Sequence, residues 1–320
     1  MRYLIRRLAH ALLLLLAISV FSFALLQWTP GNFFDAMRLD PRVSAQTVEG
    51  LRSQFGMNQP YILRYMRWAH SVIKGNMGYS FSYDAPVAPL LWVRTRNTLL
   101  LTGTATLLAW LLAIPIGVWS AASKGRLADR LCGMGVSALL AIPDLLLFLF
   151  LLLLAVRTGW FPPGGMLSAG FGRLDFWSRV KDIAIHFALP TAGLALTMLP
   201  VLVRHIRSAL IETLESPFIR AARGHGIPRM RLLFRYALPA ASNPLISLLG
   251  LSIAMMLSGS ALVEVIMSWP GLGPLMVQAI LARDIYVVAG IVIFSSVFLI
   301  AGNLLGDVLL FVSDPRIRVE

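Results

Sequence analysis

The residues able to do chemistry in this chain are few, and their spacing suits almost none of the common reactions. Cradling a nucleotide phosphate takes a glycine-rich loop ending in lysine, with Ser or Thr next to hold magnesium. Lys74, Lys124 and Lys181 are followed by Gly75, Gly125 and Asp182, so none can close such a loop. His10, His70, His186, His205 and His225 have no metal-ligand spacing. The single Cys132 excludes an internal disulfide and any paired-cysteine metal or redox site. Nucleophile elbows, HExxH and paired-carboxylate motifs do not occur. The chain by itself is therefore expected to be no enzyme and to hold no cofactor or metal. What remains is charge set among apolar runs. Asp144 follows Pro143 inside one such run, with Glu264 and Asp307 near the ends of two others. An ion-coupled carrier works through buried acids near the membrane midplane, and Asp144 is the one acid so placed. It could face a pathway and meet a substrate. It could instead be freed to hydrogen-bond at the Pro143 kink, or pair with a neighbouring subunit.

The elements that position these residues are spanning helices. The chain is 58% hydrophobic and 13% charged, with mean hydropathy +0.75. Soluble domains are about 45–50% apolar and about 25% charged. Both departures point to an all-α, polytopic membrane protein. A span needs about 20 mostly apolar residues, and six runs qualify: 8–28, 97–120, 133–156, 186–206, 241–263 and 286–312. The first run is too long for a signal-peptide core, and no A-x-A cleavage site follows it, so it reads as an uncleaved first helix.

The net charge is +13, and 25 of the 28 basic residues are arginine. Such a balance can mean nucleic acid, but here the arginines cluster between apolar runs, as cytoplasmic loops require. Six spans put both termini on one side. That side carries 15 basic residues, at 1–7, 121–132, 204–240 and the tail. The short segments on the other side, 158–185 and 264–285, carry three and one. Both termini are thus expected in the cytoplasm. Segment 29–96 lies outside, with two short helices. One is capped by Ser44 or Thr47 and ends at Gly56; the other turns Ile62, Tyr65, Met66, Ala69, Val72 and Ile73 to one face. The expected organisation is a first helix plus outer helical segment (1–95), a transmembrane core (96–312) with a cytoplasmic loop at 209–240, and a tail (313–320).

That loop contains FIRAARGHGIPRMRLLFRYALPAASNP, residues 218–244. Leu210, Leu214, Phe218 and Ala222 recur every four residues, as on one helix face, joined by Ile211 and Ala221. Gly224 and Gly226 can supply a left-handed stop. Pro228 then suits the first turn of a second short helix. Small Ala221 and Ala222, flanked by Arg220 and Arg223, let another surface approach closely. Anionic headgroups and a groove in a cytosolic partner both fit this pattern.

The passage resembles the EAA coupling loop of ABC importer permeases: EAA, three residues, Gly, nine residues, I-x-L-P. Arg220, Ala221 and Ala222 stand at EAA, Gly226 at the glycine, and Tyr236, Leu238 and Pro239 at I-x-L-P. Arg in place of Glu is similar to the dipeptide/oligopeptide/nickel subfamily, although Pro217 replaces its usual acid and His225 its usual lysine. RYLIRRL, WTPGN, FGMNQPYILRYMRW, NTLLL, IPIGV, VEVIMSWPGLGPLMVQAI with ARD, and DPRIRV extend the likeness along the chain.

The resemblance implies a type I ABC importer permease fold and one permease subunit of an importer for short peptides or a related solute, such as nickel or an oligosaccharide. It implies a homologous second permease, two cytosolic ATPase subunits that bind the ATP and magnesium, and an extracytoplasmic solute-binding protein. The setting would be a bacterial or archaeal plasma membrane, the inner membrane in a Gram-negative cell. Phe218, Arg220, Ala221, Ala222, Arg223, Gly226 and Pro239 would carry coupling to the ATPase, with Asp144 a candidate pathway residue. The competing class is a channel or ion-coupled secondary transporter acting without ATPases. The lone midplane acid and the lack of visible inverted repeats weigh against it.

Overall fold

A bilayer leaves no solvent partner for backbone N–H and C=O groups, so long apolar runs close their hydrogen bonds within helices. The computed structural model describes residues 2–28, 33–38, 44–54 and 59–313. In chain order it contains α1 (Arg2–Trp28), α2 (Phe33–Met37), α3 (Ala45–Gln54) and α4 (Tyr61–Ile73). Two-residue strands β1 (Tyr79–Ser80) and β2 (Ala85–Pro86) form an antiparallel hairpin. Then come α5 (Val87–Ala122), α6 (Leu127–Ala141), α7 (Asp144–Thr158), α8 (Phe176–Leu214), α9 (Pro217–Gly224) and α10 (Arg229–Arg231). A π-helical turn (Leu232–Ala237) leads to α11 (Leu238–Ala240), α12 (Ser242–Ile266), α13 (Leu272–Leu281) and α14 (Ile285–Ser313).

All six apolar runs fall on helices. By length and composition α5, α8, α12 and α14 can each cross a membrane. The apolar stretch Ala9–Leu25 of α1 is shorter than these. The third run differs from expectation. It is no single rod but two helices, α6 and α7, bent by 95° at their break. Ile142 (ψ 119°) and Pro143 (ψ 137°) both turn extended there. Proline biases its predecessor away from helix and lacks the N–H that would continue one. Proline alone does not decide the matter, since Pro115, Pro190 and Pro200 lie inside unbroken α5 and α8.

The chain forms two compact units, Met1–Thr98 with Pro270–Phe298, and Leu99–Trp269 with Leu299–Glu320. In the first, α4 packs on α1. Ser19 Oγ lies 3.1 Å from Tyr65 Oη, and the Phe23 ring centroid lies 5.2 Å from that of Trp68. The face of α4 is rotated from the expected one. Trp68 is buried, with Nε1 donating to the Met77 carbonyl at 3.1 Å, whereas Ile62, Met66 and Ile73 are exposed. The indole is the largest apolar surface on the helix, and burying it sets the rotation. Ser44 caps α3, accepting from the Thr47 amide at 3.1 Å. The expected stop at Gly56, the WTPGN segment beyond Trp28, and the tail from 314 onward lie outside the described residues.

Also in this unit, Asp284 is fully buried between α13 and α14. Its Oδ2 accepts from Ser80 Oγ (2.7 Å), Ser82 Oγ (2.9 Å) and the Ser82 amide (3.2 Å), which ties the hairpin down. Its Oδ1 accepts from the Val287 amide at 3.3 Å, capping α14.

The second unit is organised around α8. Leu194, Leu202, Ile206 and Leu210 share one core with Trp110, Phe148 and Trp269. Helices α12 and α14 approach at two glycines: a Cβ on Gly250 would lie 2.7 Å from Gly306 Cα. Close backbone approach at small residues is how helices gain packing contact inside lipid.

Candidate functional site

In the basic passage, α8 ends at Leu214 and the chain turns through Glu215 and Ser216. Ser216 Oγ donates to the Thr213 carbonyl at 2.6 Å and closes the turn. Helix α9 follows, with Pro217 at its first position, where a missing N–H costs nothing. Ile219 is fully buried in the core with Leu210, Leu232 and Leu233. Ala222, one turn on, is partly buried and packs against the same core. The expected four-residue stripe does not run through. The break at Glu215–Ser216 resets the helical phase, so Ile219 takes the inward place and Phe218 is 50% exposed.

At 100° per residue, the outward face of α9 is Pro217, Ala221 and Gly224, all exposed. Exposed Arg220 and Arg223 form one flank and Phe218 the other. The surface that permits close approach is therefore Ala221 with its small neighbours; Ala222 belongs to the seat of the helix. Gly226 holds φ +77°, and nothing lies within 4 Å of where its Cβ would be, so backbone conformation alone demands glycine. Pro228 caps α10 from outside, one place earlier than the first-turn position expected. The second short helix is a composite of α10, the π-helical turn and α11, with Leu232, Leu233 and Ala237 buried and Tyr236 and Pro239 exposed.

Charge around this passage is unevenly paired. Glu215 pairs with Lys124, and Arg229 donates to the Ala122 carbonyl. Arg207 binds Asp129 through two contacts, Nε to Oδ1 at 2.7 Å and Nη2 to Oδ2 at 2.9 Å. Asp129 also accepts from Ser120 Oγ (2.7 Å) and the Gly125 amide (2.9 Å). This joins the α5–α6 turn to α8. Sequence reading missed it, because the partners stand 78 residues apart and no local pattern links them. Arg220 and Arg223 have no ion pair among the described residues, and both line a cavity of about 560 Å³ with Lys124 and Arg229.

Asp144 is exposed in the first turn of α7, where a carboxylate suits the positive end of a helix. It makes no side-chain hydrogen bond or ion pair among the described residues. A hydrogen bond at the Pro143 kink is thus not what holds it. It does not line the cavity beside α9.

Comparison with known proteins covers the whole chain. Residues 113–319 match the family model described as binding-protein-dependent transport system inner membrane component, and residues 1–102 match the model for the N-terminal part of such components. The chain is 35% identical over 318 residues to the oligopeptide transport system permease protein AppB of Bacillus subtilis (strain 168), covering 99% of each. It is 32% identical to a putative peptide permease protein of Brucella ovis, covering 100% of this chain and 99% of that one. It is 30% identical to the oligopeptide transport system permease protein OppB of Mycobacterium tuberculosis (strain ATCC 25618 / H37Rv), with the same coverage. Among solved structures, two inward-facing crystal forms of the MetNI methionine ABC transporter match 70% of this chain and 96% of theirs at 18% identity, with TM-scores of 0.57 and 0.58.

Proposed function

Because the chain belongs to the family of binding-protein-dependent transport system inner membrane components, we propose that it forms half of the translocation pathway of an ATP-driven importer for short peptides. It is an integral, multi-pass protein of the plasma membrane with the all-α fold of a type I ABC importer permease. A homologous permease completes the pathway, an extracytoplasmic binding protein delivers the solute, and two cytosolic ATPase subunits bind the ATP and magnesium.

The observation that carries the coupling role is the form of α9. Ile219 locks this eight-residue helix into the core that also holds α8, while Pro217, Ala221 and Gly224 face outward without bulk. A force applied to the outer face is then delivered to a spanning helix rather than absorbed by a loose loop. Closure of the ATPase subunits on ATP would in this way rotate the permease halves and alternate access. Peptide as the solute is supported by the names of the relatives above.

The test is uptake into proteoliposomes holding this chain, its second permease and the ATPase subunits, with binding protein and labelled peptide outside. Uptake is expected to require ATP and all components. Uptake by the permeases alone, driven by a proton or sodium gradient, would overturn the reading in favour of a secondary transporter.

A further inference from the structure

Beside α9 the cavity and its surroundings have the form of an amphiphile. The cavity opens where α5 ends at Ala122 and α8 ends at Leu214, and its charged lining is Arg220, Arg223, Arg229 and Lys124 with one acid, Glu215. Lys124 is neutralised by Glu215, while Arg220 and Arg223 have no ion pair among the described residues. Its apolar lining includes Ile211, Leu214 and Leu232. Ala122, Met230 and Leu233 also line a second space of about 360 Å³, whose other walls are Ile114, Pro115, Val118, Trp119, Phe234 and Leu238. That groove bears no charged side chain. A third cleft shares Ile114 and Leu238 with it and continues to Trp110. The apolar track thus follows α5 from Ala122 back to Trp110, about 18 Å at the helical rise, into the spanning segment.

We propose that this is a binding site for one anionic phospholipid, with the headgroup phosphate among Arg220, Arg223 and Arg229 and an acyl chain along the α5 track. Basic pockets at the cytoplasmic ends of spanning helices attract anionic headgroups. A carboxylate from a soluble partner would account for the arginines but leave the apolar track without an occupant, and the sharing of Ala122, Met230 and Leu233 by the two spaces favours lipid. The site rests on the cytoplasmic placement of this end of the bundle, which follows from the arginine distribution, and does not require the docking role of α9. Its consequence is that the headgroup would bridge α9 to the ends of α5 and α8, so that membrane charge sets how firmly α9 is held.

The test is native mass spectrometry of the full chain in detergent, with no ATPase present, after delipidation and addition of phosphatidylglycerol or phosphatidylcholine of matched acyl chains. One phosphatidylglycerol is expected to be retained in preference to phosphatidylcholine. Arg220→Gln with Arg223→Gln should weaken retention about thirtyfold, the loss of two cation–headgroup attractions. Phe234→Asp, at an exposed wall of the groove, should weaken it with every arginine in place, and serves alone if the double variant fails to fold. Equal retention of both lipids, or displacement by inorganic phosphate at matched concentration, would overturn the proposal. So would a double variant that keeps the lipid and loses only capture of an ATPase subunit, which would assign the arginines to that partner. Failure of α9 to engage an ATPase would leave the lipid result untouched, so the two readings fail separately.

Discussion

Asp284 and the pair Arg220–Arg223 treat charge in opposite ways. Asp284 is fully buried, and its two oxygens are met by Ser80, Ser82 and Val287. The arginines stand exposed with no ion pair among the described residues. A buried carboxylate must be satisfied within the fold, because desolvation makes an unpaired one very costly. An exposed guanidinium carries no such demand and stays available. The first arrangement fixes a hairpin to a helix start; the second presents a surface for something outside the chain. Asp129 is intermediate: it is buried, but its partner Arg207 is 36% exposed.

Damage should therefore fall on stability at one end and on partners at the other. Asp284→Ala removes an acceptor from four donors and should cost about 3–5 kcal/mol. Thermal unfolding of the purified chain, with protease nicking near 80–86, reads this; a wild-type melt would show that the hairpin holds by other means. Asp129→Asn should cost less, about 2 kcal/mol, because solvent screens the exposed side of Arg207. The same melt checks it, and a loss as large as that of Asp284→Ala would place Asp129 in the first class. Gly226→Asp meets no obstructing atom, so only the left-handed backbone is penalised, at about 1 kcal/mol. A severe loss of folding there would mean that the turn is held by contacts absent from this structure. The smallest change should come from Asp144→Asn, with an unaltered melt and nearly unaltered peptide uptake. Abolished uptake with a normal melt would instead make Asp144 a pathway charge.

How much of this was legible in the sequence depended on whether the deciding interaction was local. The apolar runs located every long helix, since about 20 apolar residues mark a span wherever they occur. Gly226 was legible as a turn for the same reason. Phe218 and Ile62 were placed on the wrong faces, because periodicity gives the phase of a stripe only while the helix is unbroken. Glu215–Ser216 breaks one helix, and the burial of Trp68 rotates the other. The 95° bend at Pro143 was read only as a kink in one span, and three other prolines that leave helices intact show why. Asp284 carried a signal that was available: an acid just before an apolar helical run is an N-cap pattern. Its bonds to Ser80 and Ser82, about two hundred residues away, had no such signal.

In the proposed function, α9 couples through its outer face while its inner face anchors it. Ala221 and Ala222 are adjacent, of one size, and on opposite sides of that division. The decisive measurement is capture of the ATPase subunits by the assembled permease carrying Ala221→Arg, with the melt of each variant recorded alongside. Ala221→Arg is expected to melt like wild type yet capture no ATPase, and Ala222→Arg to melt lower because an arginine is forced against the core around Ile219. Undiminished capture by a normally folded Ala221→Arg would contradict it.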